Sequence, residues 1–550
     1  MAWFAEMRRR NVLKVALLYA VLSWLVAWFV SAIQSDVILP TWTETFTYFV
    51  LAIGFPVALW FAWTYEITPS GLKKAVDVDQ TQSIVYKTGQ KLNAAVAVLL
   101  VLGVLAVFGQ RLLPKFEFLA PLIPEGRAPV SENAPPAIRS HTLDNGLRII
   151  VWPDENASIV SMLTVVHAGG RDEFRGITGL SHLFGRLMST GTTVDDPANF
   201  AYSLALAGAT HEFDTNADVT VFTTLFERDS LEAIFEIEAL RLQDLNLSPE
   251  IINTHRAIML AERRAEIDSD NDRKLSEQVR AIAYLAHPYH SPVMGWASDI
   301  QSWNIRDIAD FYASYYAPNN LTVVIAGNVT AKEVFGLADI HFGPMAPVAT
   351  PRPMKIVEPE QAGTRRTTLQ VDTSRPLLHL AFHSGDAADA DALPMRLLLR
   401  ILAAGGQARL HRLFVEDEAL ATSIEARLDE RLDPGLVYVS ATLAAGADVQ
   451  HLENRILEEL RRVTDEVVSD EELAAAKADL LADTHSARAT IRGRARLLAE
   501  YEILRGNYEL LFDLPDSIAA VTAEDLQQAA AATFDKRRMT VGVLLPLPAE

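Results

Sequence analysis

An internal repeat constrains the fold more than any other feature of the sequence. It begins near residue 140 and has a period of about 220 residues. In each copy a Ser-x-Glu sequence opens a long amphipathic helix, at Ser248 and again at Ser469. A later helix with an acidic start then runs into an apolar, β-rich strand, as in "IRDIADFYASYYAPNNLTVVIAGNV" and "AEDLQQAAAATFDKRRMTVGVLLPL". The pattern therefore predicts one fold written twice, the alternative being one large domain with chance similarity.

Each copy also has a Gly-Gly pair near its front, Gly169-Gly170 and Gly405-Gly406, and we expect these two pairs to correspond. Apolar or alternating runs such as "LRIIVWP", "SMLTVVHA", "VTVFTTLF" and "LVYVSATL" predict strands between the helices. The fold class is α+β, with mostly antiparallel sheets packed against helices. We place the first domain at residues 140–349, a Pro- and Gly-containing hinge at 350–363, and the second domain at 364–550.

Three apolar runs before the repeat, at about 12–33, 45–65 and 93–110, predict transmembrane helices, for which about 20 residues are needed. We assign residues 1–115 to this membrane module and 116–139, rich in Pro and small residues, to a linker. A cleaved signal peptide is disfavoured because two further apolar segments follow the first. The stretches "FAEMRRRNVLKVALLYAVLSWLV" and "FAWTYEITPSGLKK" resemble an N-terminal membrane module of some bacterial multidomain proteins.

The distribution of Lys and Arg predicts the orientation of this module, since cytoplasmic loops carry the excess of positive charge. The short loop between the first two runs has no Lys or Arg. We expect a multi-pass protein of the bacterial inner membrane, with a cytoplasmic N-terminus and the duplicated domains in the periplasm. The cationic residues that set this orientation lie before or at the start of the first run, or between the second and third runs: Arg8, Arg9, Arg10, Lys14, Lys73, Lys74, Lys87 and Lys91.

The composition excludes several functions. A net charge of −21 argues against nucleic-acid binding, which needs a Lys- or Arg-rich face. The absence of cysteine excludes disulfides, cysteine-ligated zinc, iron–sulfur clusters and thiol catalysis.

Residues from about 140 to 547 resemble the M16 metallopeptidases, the group of pitrilysin, insulin-degrading enzyme and mitochondrial processing peptidase. The resemblance rests on four segments in the family's order and spacing. They are "LDNGLRIIV", "HAGGRDEFRGITGLSHLFGRLMSTGT", "HPYHSPVMGWASDIQSWNIRDIADFYASYYAPNNLTVVIAGNV" and "GGQARLHRLFVEDEALATSI".

The resemblance implies a zinc site, but the motif in this chain is degenerate. The family uses His-x-x-Glu-His on one helix and a Glu on a second helix, with the first Glu as the general base. Carried over, the first ligand is His182, the base position is Gly185, the second ligand position is Arg186 and the distal acid is Glu262. Gly185 cannot accept a proton, and Arg186 places a permanent positive charge where the metal would sit.

His182 and Glu262 are therefore the remaining ligand candidates, fewer than the three that catalytic zinc sites use. We expect no cofactor, and an Arg186–Glu262 ion pair in place of the metal, because an unpaired buried Glu262 would be costly. The alternative is zinc in a rebuilt site, with His211 or His255 as the added donor.

In the second copy the resemblance implies a substrate-binding Arg and Tyr, seven residues apart. Val415 and Thr422 stand at these positions, so the group that polarises the substrate carbonyl is lost as well.

These losses predict an inactive M16-type subunit. The family's active/inactive pairings imply that it pairs with a second, intact M16 subunit and completes a peptide-binding chamber. Two alternatives remain: a structural or assembly subunit of a membrane complex, and a zinc metalloendopeptidase with a rebuilt site.

Overall fold

The structure of this protein is a computed structural model. It describes residues 138–189, 197–351 and 354–548, the segments 65–68 and 71–74, and the single residues Ser23 and Phe55. Contacts divide the chain into two units, Met1–Ala134 and Pro135–Glu550. In the first unit, strand β1 (Tyr65–Thr68) pairs antiparallel with β2 (Gly71–Lys74).

The three predicted membrane segments lie outside the described residues, apart from Ser23, Phe55 and Tyr65. Within the described part of the chain, no helix combines the length and the apolar character needed to cross a membrane. Membrane insertion therefore stays a prediction.

The second unit contains two sheets, and their strand order repeats. The first sheet has the order β3-β4-β8-β5-β7-β6 and the second has the order β11-β12-β10-β13-β9. The strands are β3 (Arg139–Thr142), β4 (Arg148–Pro153), β5 (Ile159–Val166), β6 (Thr210–Thr215), β7 (Thr220–Glu227), β8 (Leu321–Gly327), β9 (Arg365–Val371), β10 (Leu377–His383), β11 (Ala421–Leu428), β12 (Leu436–Leu443) and β13 (Met539–Pro546).

If β4 to β8 are matched in chain order with β9 to β13, the two sheets have the same neighbours. Each has one parallel pair, β4 with β8 and β9 with β13, and antiparallel pairs elsewhere. The predicted α+β fold with two mostly antiparallel sheets is therefore confirmed, and β3 is an addition to the first copy.

Fifteen helices are described in the second unit, and most follow the amphipathic patterns in the sequence. The bounds are α1 (Leu180–Leu187), α2 (Pro197–Leu206), α3 (Leu231–Gln243), α4 (Pro249–Arg263), α5 (Asn271–Ala283), α6 (Ala297–Ser302), α7 (Ile305–Tyr315), α8 (Ala331–His341), α9 (Ala392–Ala403), α10 (Arg409–His411), α11 (Val449–Asp465), α12 (Asp470–Ala489), α13 (Ile491–Arg505), α14 (Leu510–Ala520) and α15 (Ala523–Thr533). A π-helical turn, Arg264–Asp268, continues α4. Of the two Ser-x-Glu helix starts, only Ser469 forms the reciprocal capping box, with Glu472.

The expected correspondence of the two Gly-Gly pairs is wrong. Gly169 and Gly170 lie before the first helix of their copy, whereas Gly405 and Gly406 lie after α9, between two helices. The two pairs also serve different purposes. Gly405 has a φ of +80°, a left-handed conformation suited to a helix end, while a Cβ at Gly169 would lie 2.6 Å from backbone atoms of Ala217 and Asp218.

Each sheet is covered by helices from both halves of the second unit. The side chains of β4 show this, because Ile149 and Val151 enter the core of the first half while Ile150 and Trp152 enter a core shared with the second half. Helix α13 of the second half packs on β5 and β8, and α5 of the first half packs on β9, β10 and β13. Burial on both faces explains why these strands are apolar runs rather than alternating ones.

Candidate functional site

Helix α1 carries the degenerate motif, and its packing fixes which residues face the site. Leu180, Leu183, Phe184 and Leu187 are fully buried. The i, i+4 pair His182 and Arg186 lies side by side on another face, as the helical repeat requires.

The start of α1 is held by a carboxylate that the sequence analysis missed. Buried Glu173 accepts hydrogen bonds from the backbone N–H groups of Gly179 and Ser181, both at 2.6 Å. Burial raises the pKa of Glu173 to about 8, although the two N–H donors favour its ionised form. No helix-start pattern marks Glu173, because it lies seven residues before the helix begins.

The predicted Arg186–Glu262 ion pair is present. Arg186 Nη1 donates to Glu262 Oε1 at 2.5 Å, and Glu262 projects from α4 directly before the π-helical turn. Glu262 Oε2 lies 4.0 Å from His182 Nε2 and has no hydrogen-bond partner among the described residues. The Arg186 guanidinium therefore binds the carboxylate at the position of the family's distal zinc ligand.

The charge of Arg186 also affects the two histidines beside it. Burial and, second to it, the charge of Arg186 together lower the pKa of His182 to about 4. Burial and Arg186 likewise lower the pKa of His255 on α4. Both imidazoles are therefore neutral at physiological pH, while Arg186 keeps its charge.

The space for a general base at position 185 is filled. A Cβ on Gly185 would lie 2.6 Å from Cε2 of Phe213, and closer still to its Cδ2 atom. Phe213, on β6, also packs its ring edge-on against His182, with 5.6 Å between the ring centroids. Phe213 is not among the residues predicted for the site, although the alternation in "THEFDT" places it on the same face of the strand as His211 and Thr215.

His211 does not join the motif residues. Its Nδ1 lies 3.0 Å from the Thr224 hydroxyl, and its ring stacks on Phe222. Burial, together with Arg241, lowers the pKa of His211 to about 4, against a weaker opposite effect of Glu238. His211 is therefore part of a separate buried polar cluster.

This lowered pKa predicts a pH dependence of stability. Because the folded-state pKa lies below the unfolded value of 6.5, the contribution is complete above pH 6.5 and is lost as the pH falls through about 4. The loss should be on the order of 2 kcal/mol. Urea unfolding at pH 7.5 and 4.5 should show a smaller loss for His211→Gln than for the natural chain. Equal losses would contradict this assignment.

The two substrate-site positions lie in the second half. Val415, in a π-helical turn, packs against the shared core, and the Thr422 hydroxyl on β11 donates to the Thr442 carbonyl at 3.4 Å. Neither side chain can supply the cationic or phenolic group that the family resemblance implies there.

The donors present do not fit zinc. Only His182 and Glu262 of the family ligands remain, and the Arg186 guanidinium binds Oε1 of Glu262, which places a positive charge at the position of the metal. Among the described residues, no group of three or more His, Asp or Glu side chains is placed to hold a metal ion. His255 cannot replace the lost histidine ligand, because the positive charge of Arg186, which also lowers the pKa of His255, would repel a metal ion.

A cavity of about 730 Å³ adjoins the site between the two halves. Glu212 and Asp214 of β6 line it from the first half, while Arg492 and Glu500 of α13 line it from the second. An ion pair between Arg492 and Glu212 bridges the halves. The volume lies in the range of ligand-binding clefts.

This fold, with its motif helix facing a second helix that carries an acid, is that of an M16 peptidase. Residues 148–296 match the family "Insulinase (Peptidase family M16)", and residues 302–480 match "Peptidase M16 inactive domain". Together these matches cover more than half of the chain, which therefore belongs to the M16 family.

One relative is the zinc protease PqqE of Helicobacter pylori, 26% identical over 416 residues that cover 75% of this chain and 93% of the relative. Among solved structures, a Helicobacter pylori protease superposes with a TM-score of 0.72 at 24% identity, covering 75% of this chain and all of the other. An M16 inactive domain from Pseudomonas fluorescens has a TM-score of 0.70 at 16% identity, covering 75% and 99%. A chain of complex III2 from Candida albicans has a TM-score of 0.63 at 15% identity, covering 74% and 95%.

Proposed function

We propose that this protein is a membrane-anchored M16 subunit that is inactive as a peptidase and pairs with a second M16 subunit whose zinc motif is intact. The observation that carries the proposal is the Arg186–Glu262 ion pair beside the Phe213 ring. These groups stand where a zinc peptidase needs its second histidine ligand, its metal and its general base. Hydrolysis of peptides is then the task of the partner.

The cavity between the halves supports a role in peptide binding. It is bordered by β6, an edge strand of the first sheet in the described part of the chain, and an extended peptide can add to such an edge by backbone hydrogen bonds. The inactive subunit would thus contribute a binding wall to a chamber that it shares with its partner.

Membrane anchoring and a periplasmic location complete the proposal. They are supported by the three apolar runs before residue 115 and by the placement of Lys and Arg around them. Protease accessibility of a C-terminal tag in spheroplasts, compared with intact cells, tests this orientation.

Three measurements on the full chain, purified from gently solubilised membranes, test the proposed function. We expect zinc well below one ion per chain, no cleavage of an unfolded peptide, and co-purification of an M16 protein with an intact His-x-x-Glu-His motif. The untagged chain, taken through the same steps, is the control. One zinc per chain together with chelator-sensitive proteolysis would contradict the proposal and favour a rebuilt zinc site.

A second candidate function is a structural subunit of a membrane complex. The observation that favours it is the fold shared with a chain of complex III2. Recovery of an unrelated membrane complex, with no M16 partner, would support this role instead.

A further inference from the structure

A second, smaller cavity of about 270 Å³ opens beside His182. Thr215 at the end of β6 lines it, together with Arg273, Ser276 and Arg280 of α5. The remaining wall is mainly aliphatic, with Ile267, Pro292, Val293 and Met294. The cavity therefore combines guanidinium and hydroxyl groups on one side with an apolar surface on the other.

The charge of this cavity is positive. Glu277, its only acidic lining residue in the described part of the chain, has both carboxylate oxygens bound by Arg263, at 2.6 and 2.9 Å. Arg273 pairs with Glu266 at 3.0 Å, but both side chains are half exposed, so water and salt screen this pair. The positive charges of the lining are thus not cancelled by the acid that lines it.

Arg280 is the less exposed of the two arginines in the cavity, and Tyr438 and Asp429 beside it raise its pKa against the effect of burial. Among the described residues it makes no ion pair within 4.0 Å, and the nearby carboxylate of Asp429 is held by Arg431 at 2.7 Å. Within the described part of the chain, the buried Arg280 Nε and the buried Thr215 hydroxyl both lack a hydrogen-bond partner. Unpaired buried donors of this kind are costly, and a ligand with oxygen acceptors would offset that cost.

We propose that this cavity binds the C-terminal carboxylate of a peptide whose last residue is apolar. The guanidinium and hydroxyl groups would hold the carboxylate, and the aliphatic wall would hold the terminal side chain. This inference rests on the proposed peptide-binding function and adds the chemical class of the ligand. It also gives a ligand-binding role to the cavity beside the degenerate zinc motif.

Fluorescence anisotropy with the full chain tests the proposal. The probes are two short peptides labelled at the N-terminus and ending in Leu, one a free acid and the other the C-terminal amide. We expect the free acid to bind at least about tenfold more tightly, since a charged hydrogen bond is lost with the amide. N-acetyl-leucine should compete only weakly, because it lacks the rest of the peptide.

Arg273→Gln should reduce the difference between acid and amide severalfold. Arg306→Gln, at a position where the side chain is 88% exposed, is the matched control and should leave the difference unchanged. Thr215→Val should weaken binding of the acid without lowering the melting temperature, since it removes a hydroxyl that has no hydrogen-bond partner in the segments that the structure describes.

Equal affinity for acid and amide would overturn the carboxylate site while leaving the proposed peptide-binding role intact. Equal affinity for N-acetyl-leucine and the peptide would mean that the cavity binds a small carboxylate and not a peptide. If neither peptide binds, both this inference and the peptide-binding part of the proposed function fail, and only pairing with an M16 partner would remain to be judged by co-purification.

Discussion

Restoring the family motif by the double exchange Gly185→Glu and Arg186→His is expected to leave the chain without stoichiometric zinc. The reason is Phe213, whose ring lies within 2.6 Å of any Cβ at position 185. A glutamate forced into this space should cost about 1–3 kcal/mol of unfolding free energy through overpacking. Loss of the guanidinium also leaves Glu262 without its ion-pair partner. The double variant should therefore be less stable than the natural chain.

Adding Phe213→Ala to the double variant should restore zinc binding. The smaller side chain makes room for the introduced glutamate, and three ligands then face one another across α1 and α4, as catalytic zinc sites require. We expect close to one zinc per chain in the triple variant, measured by elemental analysis after gel filtration. Phe213→Ala alone is the control and should bind no zinc.

Either of two results would contradict this argument. Stoichiometric zinc in the double variant would mean that Phe213 moves aside readily. A folded triple variant without zinc would mean that α1 and α4 no longer stand at the spacing of a metal site.

Much of the fold could be predicted because local sequence patterns indicate its strands and its internal repeat. The strands β4, β5, β7 and β12 follow apolar runs, and the identical strand order of the two sheets follows the internal repeat. The Arg186–Glu262 pair could also be predicted, but only because the family resemblance placed both residues at one site. Charge balance then required the pair.

The remaining features of the site depend on distant contacts that no local pattern records. Phe213 blocks position 185 because β6 lies against α1, and Glu173 caps α1 through a loop of irregular shape. Two equal dipeptides carry no information about the number of helices before them, so the Gly-Gly pairs could not be placed from the sequence. His211 could be placed only once the register of β6 with β7 was known.

The largest effect on stability is expected from Arg241→Met, which should lower the free energy of unfolding by about 3–5 kcal/mol at neutral pH. The side chain of Arg241 is fully buried, and that of Glu238 is 2% exposed. Arg241 Nε and Nη2 both donate to Glu238 Oε2, at 3.0 and 2.5 Å. Hydroxyls of Thr164 and Thr224 donate to the same carboxylate. Removing the guanidinium would leave a buried carboxylate charge with only neutral donors.

The pH dependence of this variant should differ from that of the natural chain. Burial is the largest single effect and would raise the pKa of Glu238, but Arg241, His211 and the Thr164 hydroxyl together outweigh it and hold the pKa below its ordinary value of 4.5. With a lowered folded-state pKa, the carboxylate contributes stability above pH 4.5 and loses it as the pH falls. Without Arg241, burial dominates and raises the pKa of Glu238. Protonation of Glu238 in the folded state should then remove the unpaired charge and make the variant less destabilised at lower pH. The difference in unfolding free energy between the natural chain and the Arg241→Met variant, measured by urea unfolding, should therefore be smaller at pH 5 than at pH 7.5.

The double variant Glu238→Gln with Arg241→Met separates the buried charge from the loss of packing. Glutamine keeps an oxygen that accepts from the two threonine hydroxyls but carries no charge, so most of the lost stability should return. We expect the double variant to lie within about 1–2 kcal/mol of the natural chain, because replacing a whole buried pair costs far less than breaking it. If the double variant is no more stable than Arg241→Met, the defect is the cavity left beside Phe222, over whose ring Arg241 lies at 4.3 Å, and not the unpaired carboxylate.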